Sequence, residues 1–268
     1  MAPPPRITVG MPVHNGAATL ERAIAGLEAQ SLGDFAVIAA DNASSDGSGE
    51  ILADWAAHDP RVTVHRHDGN IGALANFRYV LDRAESDYFM WHACDDWLSP
   101  NYLAVLSGLL DDDPGCGLAV GDVVKAEAGG GEKRRVFPEL GGRSRLGRVA
   151  ALLRRPRAPW IYGLFRARDL RPADAHSAAF GHAWGGDYVT LMWFILNDRI
   201  RGNGEAVFHY RMSDDARRAY RPGGAAHLRF FGRYLRYNLA VLGECRLSAL
   251  EKTLCLPLLL RHIARGLK

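Results

Sequence analysis

Residues Tyr88–Trp97 read Y-F-M-W-H-A-C-D-D-W, and this stretch decides the fold. Four large apolar side chains in a row, Tyr88 to Trp91, predict a strand buried on both faces of a parallel sheet. The run ends in two adjacent carboxylates, Asp95 and Asp96. Because ligands of open α/β sheets bind beyond the carboxyl ends of the strands, this pair is expected at the rim of a ligand crevice.

The acidic pair has two interpretations, a cation site or a polar loop. Adjacent carboxylates raise each other's pKa unless a cation compensates their charge. Oxygen ligands favour a hard ion such as Mg2+ or Mn2+, which often shares its coordination with substrate phosphates. On the other interpretation, Asp95 caps the helix that begins near Pro100. The residues that precede the pair favour the cation.

The first hundred residues contain four β-α units, which predict a doubly wound, mostly parallel sheet. Each predicted strand ends in polar residues, and the carboxyl ends of parallel strands meet at one edge. The four polar clusters are His14 with Asn15, Asp41 with Asn42 and Ser44, Asn70, and Asp95 with Asp96. Together they predict a nucleotide site. The motifs G-x-G-x-x-G and G-x-x-x-x-G-K-[ST] do not follow the first strand, which argues against hydride transfer and P-loop hydrolysis.

Five motifs, in order, resemble those of the family 2 glycosyltransferases. Pro12–Asn15 matches P-x-x-N, and Asp41–Ser48 matches D-[DN]-x-S-x-D-G-[ST]. Asn70–Gly72 matches N-x-G, Asn76 follows in the next helix, and the acidic pair closes the series. The resemblance implies the A-type glycosyltransferase fold, a Rossmann-like α/β architecture.

The resemblance also implies a role for each matched residue. Pro12, His14, Asp41 and Asn42 would line the base and ribose of a UDP or dTDP sugar, while Asp95 would face the ribose or the sugar. Asp96 would ligate Mn2+ or Mg2+ on the diphosphate. Ala93 stands where the family often has a third acid. The remaining residues of the predicted nucleotide-sugar site are Asn15, Ser44, Asn70, Gly72 and Asn76.

Asp187 is the predicted general base, because the family carries an acid at the start of a helix at this point. Gly186 stands where a Glu is frequent. A helix N-terminus holds a carboxylate ionised, and partly apolar surroundings raise its basicity. The alternative is that Asp187 simply caps the helix. The aromatic residues predicted to surround it and to stack on the sugar or acceptor are Trp160, Trp184 and Tyr188.

The last predicted strand ends near Arg211. Family members often have Y-R-x-H here, with the His reaching the metal, but this chain has Ser213 in that place. His209 is the predicted replacement ligand. Arg211, Arg217 and Arg218 are predicted to close over a diphosphate, although a solvated loop is an equal alternative.

Composition points to a cytoplasmic protein. The chain has 268 residues, a formal net charge of +3 and no aromatic-basic RNA motif, so nucleic-acid binding is not expected. Its four cysteines form no C-x-x-C and are interpreted as reduced thiols. The N-terminus lacks the apolar core of a signal peptide. The apolar run Leu254–Leu260 is too short to span a bilayer.

We predict a catalytic domain at residues 1–222 and an amphipathic helical extension at 223–268. The domain is divided into a nucleotide-sugar half, 1–124, and an acceptor half, 125–222. The extension would pack on the domain or a second subunit, or lie peripherally on the inner face of an anionic membrane.

The predicted reaction is metal-assisted, inverting transfer from a UDP- or dTDP-sugar to a hydroxyl acceptor: a glycan, a lipid-linked molecule or a small molecule. Two alternatives remain at this point. One is a catalytically silent nucleotide-sugar-binding protein, and the other is a sugar-phosphate nucleotidyltransferase. The latter would need a Gly-rich basic loop after the first strand, which Pro12–Gly16 is not.

Overall fold

The computed structural model describes residues 5–127, 130–211 and 224–265, with backbone alone at 183, 184 and 224–226. Within these ranges nine strands form one mixed sheet flanked by helices. Eight of the strands lie in the order β3-β2-β1-β4-β8-β6-β9-β5, and β7 pairs with β6 outside this path. The predicted α/β class with a Rossmann-like open sheet is confirmed.

The first half is fully parallel. Strands β1 (Ile7–Val13), β2 (Phe35–Asp41), β3 (Val62–Arg66) and β4 (Tyr88–Trp91) pair in the order β3-β2-β1-β4. Helices α1 (Ala17–Glu28), α2 (Ser48–His58) and α3 (Ala73–Asp82) connect them. All residues of β1 and β4 are buried, as contiguous apolar runs predict.

Close packing at Gly10 sets the distance between α3 and the sheet. A Cβ placed there would lie 2.7 Å from Cγ2 of Val80 and 2.8 Å from Cζ of Phe89. Only a glycine therefore lets α3 lie this near β1. The approach brings Asn76, in the first turns of α3, to the ends of β1 and β2.

The second half adds antiparallel strands. Strand β8 (Leu164–Arg166) pairs antiparallel with both β4 and β6 (Leu118–Ala126), while β6 and β9 (Ile200–Arg211) are parallel. The short strand β5 (Trp97–Leu98) and β7 (Glu132–Arg135) pair antiparallel with β9 and β6. The helices here are α4 (Tyr102–Asp112), α5 (Arg145–Arg154), α6 (Ala167–Phe180) and α7 (Ala183–Leu196), with a 3-10 turn at Ala158–Tyr162.

Two helices follow residue 223, α8 (Gly224–Glu244) and α9 (Ala249–Arg265). They pack against α5, α6 and α7, and their buried residues Val241, Cys255 and Leu259 belong to the same hydrophobic core as the sheet. The helical nature of this segment is as predicted. The boundary at 222/223 stays a prediction.

Within the described ranges, no helix has both the length and the hydropathy needed to cross a bilayer.

Candidate active site

Asparagine side chains tie together the loops that follow β2 and β3. Asn42 donates from Nδ2 to Oδ1 of Asn70 at 2.9 Å, and its Oδ1 accepts from the N–H of Ile71 at 2.8 Å. Asn70 Oδ1 also accepts from the N–H of Gly72, whose φ is 86°. Glycine adopts this left-handed backbone at little cost, which explains the N-x-G motif.

Asn76 locks the ends of β1 and β2 from beneath. It is buried, and its Nδ2 donates to the carbonyl oxygens of Ala40 at 2.9 Å and Val13 at 3.4 Å. Its Oδ1 lies 3.0 Å from Nε2 of His67. Asn76 therefore supports the carboxyl ends of β1 and β2 from inside the protein, and its side chain is too buried to contact a ligand.

Asp41 has no exposed surface and organises the loop after β2. Its Oδ1 accepts from the N–H of Ser44 at 3.0 Å, and its Oδ2 accepts from Nη1 of Arg66 at 2.8 Å. Ser44 in turn accepts from the N–H of Asn15 at 2.9 Å, which joins this loop to the one after β1. A base contact by Asp41 stays a prediction, and Arg66 would have to move aside for it.

His14, Asn15 and Asn70 are the predicted nucleotide residues whose side chains reach solvent, while Pro12 is buried within β1. Nε2 of His14 lies 3.1 Å from Nδ2 of Asn70. The two exposed side chains thus come from different loops and meet at the carboxyl edge of the parallel strands. This edge is where the sequence predicts the nucleotide.

The acidic pair occupies a turn between β4 and β5. Asp95 is exposed, whereas Asp96 is 4% exposed. Burial raises the pKa of Asp96 well above its ordinary value, and the neighbouring charge of Asp95 raises it further. The N–H of Arg211 and the charge of Arg22 partly offset this. Asp96 is therefore a carboxyl group that calls for a compensating cation.

Asp187 lies four residues inside α7, which begins at Ala183. The predicted position at a helix N-terminus is therefore wrong, because the helix starts six residues before the apolar run Val189–Leu196. Asp187 is exposed to solvent, although many protein atoms lie around its carboxyl group. Burial raises the pKa of Asp187 to about 6. A carboxylate with this pKa is suited to remove a proton near neutral pH.

Tyr162 shows that the acidic pair and Asp187 share one site. This tyrosine ends the 3-10 turn and stacks on Phe208 with ring centroids 5.0 Å apart. Burial raises its pKa, and the charges of Asp96, Asp187 and Asp95 raise it further, so all three carboxylates act electrostatically on its phenol. Sequence reasoning missed Tyr162, whose only local signal is that it lies two residues after Trp160.

Two arginines beside the site were also missed. Arg22, on α1, donates to the carbonyl oxygen of Asp95 at 3.1 Å and lies 4.0 Å from the ring centroid of Trp97. Arg66 covers Asp41 from the end of β3. Both lie far from the acidic pair in sequence, and no local pattern distinguishes them from solvated surface arginines.

His209 lies on β9, where its ring stacks on Trp97 with centroids 5.1 Å apart. Its nearest carboxylate is Glu132, with Nδ1 and Oε1 4.0 Å apart. Among the described residues, no three His, Cys, Asp or Glu side chains form a cluster that could hold a metal. The prediction of His209 as a ligand gains no support from this geometry.

The predicted acceptor residues have different surroundings. Trp160 is buried against Phe137 with ring centroids 5.4 Å apart, so in this structure it belongs to the core. Tyr188 is half-buried, and its ring lies 4.8 Å from that of His262 on α9. Arg211 is exposed at the end of β9. Trp184, Arg217 and Arg218 have side chains outside the described part of the chain.

Asp95 and Asp96 fit a hard divalent ion that completes its coordination on a substrate. Mg2+ is usually held by one or two carboxylates together with substrate phosphates. The absence of a third protein ligand from the described residues accords with that mode of binding. The ion would compensate the buried charge of Asp96.

The open, mostly parallel sheet with polar residues at its carboxyl edge agrees with membership of a glycosyltransferase family. A family model described as "Glycosyl transferase family 2" matches residues 8–183, more than half of the chain, and the protein belongs to this family. This membership, with the transferase names of its relatives, supports a glycosyltransferase rather than a nucleotidyltransferase.

Curated relatives match over short stretches. EpsE of Bacillus subtilis (strain 168), which carries a glycosyltransferase name, is 30% identical over 100 residues, 37% of this chain and 36% of that protein. The glycosyltransferase GlyA of Streptococcus pneumoniae serotype 4 is 26% identical over 101 residues, 38% of this chain and 14% of that protein. The match thus spans well under half the length of these relatives.

Solved structures resemble the whole chain. TarS 1-349 of S. aureus in complex with UDP-GlcNAc has a TM-score of 0.75 at 14% identity, covering 96% of this chain and 72% of that one. The mannosyltransferase PcManGT of Pyrobaculum calidifontis, in complex with GDP-Man and Mn2+, has a TM-score of 0.54 at 16% identity, covering 99% and 86%. At these identities the likeness shows the fold.

Proposed function

We propose that the protein is an inverting glycosyltransferase that moves a sugar from a UDP- or dTDP-sugar to a hydroxyl acceptor. The observation that carries this proposal is that the acidic pair follows β4 at the carboxyl edge of the parallel strands, and that Asp95, Asp96 and Asp187 all act electrostatically on Tyr162. One carboxyl group, at Asp96, needs a cation, and another, at Asp187, has a pKa suited to a base. These are the two functions that the reaction requires.

The donor is proposed to bind along the loops after β1, β2 and β3. His14 and Asn70 offer exposed polar groups there, and the buried network of Asp41, Asn42 and Asn76 holds the loops in place. TarS structures bound to UDP and UDP-GlcNAc, and the GDP-Man complex of PcManGT, are consistent with a nucleotide-sugar donor at this fold's edge.

Asp187 is proposed to remove the proton from the acceptor hydroxyl as the oxygen attacks the anomeric carbon. The new C–O bond forms on the face opposite the nucleotide, the bond to the diphosphate breaks, and the configuration inverts. A Mn2+ or Mg2+ ion held by Asp96, and on its exposed side by Asp95, would stabilise the negative charge of the leaving diphosphate. Arg211, exposed beside Asp96, is proposed to bind the same phosphates.

The reaction is proposed to take place in the cytoplasm. All four cysteines are free, and three of them are buried. Free thiols are typical of a reducing compartment.

The test is a matched pair of Asp-to-Asn variants assayed for nucleotide release. The full chain is incubated with Mn2+, simple glycoside acceptors and a panel of UDP- and dTDP-sugars. Asp187→Asn is expected to lower kcat about 100-fold to 10,000-fold, because general base catalysis contributes that much, while UDP still binds. Asp54→Asn, at an exposed carboxylate, is the control and should keep full turnover.

Two results would contradict the proposal. Full turnover by Asp187→Asn would show that Asp187 is not the base. A product of retained anomeric configuration, read by NMR, would show that the reaction is not inverting. UDP binding without turnover of any donor would indicate the silent binding protein instead.

A further inference from the structure

Exposed apolar side chains concentrate on the last two helices. Of the eight large hydrophobic residues exposed in the described part of the chain, five lie on α8 and α9. Helix α9 carries three of them: Leu250 is 70% exposed, Leu254 53% and Leu260 43%. Surface leucines scattered singly are ordinary, whereas three on one helix form a patch.

The three leucines share one face of α9. At 100° per residue, Leu250, Leu254 and Leu260 fall within an arc of about 120°, with the exposed Pro257 between them. Cys255, Leu259 and Ile263 lie on the opposite side, buried in the core. The helix thus uses one apolar face for folding and leaves a second to solvent. This exposed face, from Leu250 to Leu260 and about 15 Å long, is called the α9 face below.

Positive charge surrounds the α9 face. Arg261 lies within its arc, Arg265 lies beside it, and both are exposed. The neighbouring helix α5 contacts α9 and ends in the exposed Arg154 and Arg155. In the described residues none of these four guanidinium groups forms an ion pair with a carboxylate. The one acid of α9, Glu251, caps the helix by accepting from Ser248 at 2.8 Å.

We propose that the α9 face docks the protein on the surface of an anionic lipid bilayer. A helix with leucines on one face and arginines at its edges lies in the interface between headgroups and acyl chains. Basic residues near such a surface are attracted by its negative potential. A second copy of the chain suits the face less well, because the face carries Arg261 and no carboxylate that could pair with it across a self-interface. The α9 face contains none of the proposed catalytic carboxylates, and the inference does not depend on the proposed reaction.

The experiment is co-sedimentation of the full chain with vesicles, with no activity measured. Phosphatidylcholine vesicles are compared with vesicles that also contain phosphatidylglycerol, at low and at high salt. Binding is expected only to the anionic vesicles and should weaken as salt rises.

Variants separate the apolar and the charged contributions. Leu250→Ser with Leu254→Ser is expected to lower the partition coefficient at least tenfold. Arg261→Gln with Arg265→Gln should lower it about 25-fold, roughly fivefold for each charge. Val136→Ser, at a 68% exposed valine that directly follows β7, is the control and should bind like the parent. Unchanged thermal melting shows that each variant is folded.

Three outcomes would overturn the proposal. Equal binding to neutral and anionic vesicles would show that charge does not drive the docking. No binding to either kind of vesicle would show that the α9 face is not a membrane-docking surface. A dimer in analytical ultracentrifugation that the double serine variant dissociates, with no vesicle binding, would assign the α9 face to a second copy.

Discussion

Replacement of His92 by leucine is expected to make the protein less sensitive to acid. His92 follows β4 directly, has no exposed surface, and neither ring nitrogen has a protein hydrogen-bond partner in the described residues. Burial lowers its pKa to about 4, and the nearby backbone of Ala23 opposes this only weakly. The folded protein therefore holds a neutral imidazole that cannot take up a proton without cost.

The magnitude follows from the difference between the folded and unfolded pKa. Because the folded pKa lies below the unfolded value of about 6.5, the unfolded chain binds more protons, and stability falls as the pH drops through this window. Between about pH 7.5 and pH 5 the imidazole alone costs about 2 kcal/mol of unfolding free energy. His92→Leu removes that loss. At pH 7.5 it also removes an unpaired buried polar group, which is worth about 1 kcal/mol.

The assay is urea unfolding of parent and variant at both pH values. The stability difference in favour of His92→Leu should widen by about 2 kcal/mol on going to pH 5. Acid effects of other groups, such as the buried His262, occur in both proteins and cancel. His58→Leu, at a histidine side chain that is 76% exposed, is the control and should show no widening. A constant difference, or a variant that loses stability equally at both pH values, would refute the reasoning.

Three further predictions concern the site and its support. Because burial raises the pKa of Asp187 to about 6, and only the ionised form acts as a base, turnover should fall tenfold per pH unit below about pH 6; a pH–rate profile that stays flat to pH 4.5 would contradict this. Asp96→Asn removes a buried carboxylate with a raised pKa, so without divalent cation the variant should melt at a higher temperature than the parent and gain nothing from Mn2+ with UDP. A lower melting temperature would argue against an uncompensated charge. Tyr234→Phe deletes the hydroxyl that lies 2.8 Å from Nε2 of the buried His262, at an expected cost of about 1–3 kcal/mol in urea unfolding; a neutral effect would show that the pair is not needed.

The parallel half of the protein could be predicted from its sequence. Each of its strands is a short apolar run that ends in turn residues, and each helix repeats leucine or isoleucine at local spacing. Both signals depend on neighbours a few residues apart, so they survive without tertiary information. The position of the nucleotide edge followed as well, because the carboxyl ends of parallel strands meet on one side.

The second half was less predictable. Helix α6 carries Pro172 in its interior, and proline argues against a helix, so the sequence did not mark it. Strand β8 lies between β4 and β6 because Tyr88 pairs with Arg166 and Leu118 with Phe165, contacts between residues far apart in the chain. Such pairings join segments that are remote in sequence, and a local pattern does not encode them.

From the sequence alone came the residues predicted to bear the chemistry, namely the acidic pair, Asp187 and the asparagine-rich turns. Only the tertiary structure decided what each of them can do. It buried Asp41 under Arg66 and Asn76 under the strand ends, which makes them supports for the loops. It surrounded the exposed Asp187 with protein atoms that raise its pKa, and it brought Tyr162 under the electrostatic influence of both the acidic pair and Asp187. The physical reason is that burial and the electrostatic field of distant charges set a pKa, and both arise from packing between segments remote in sequence.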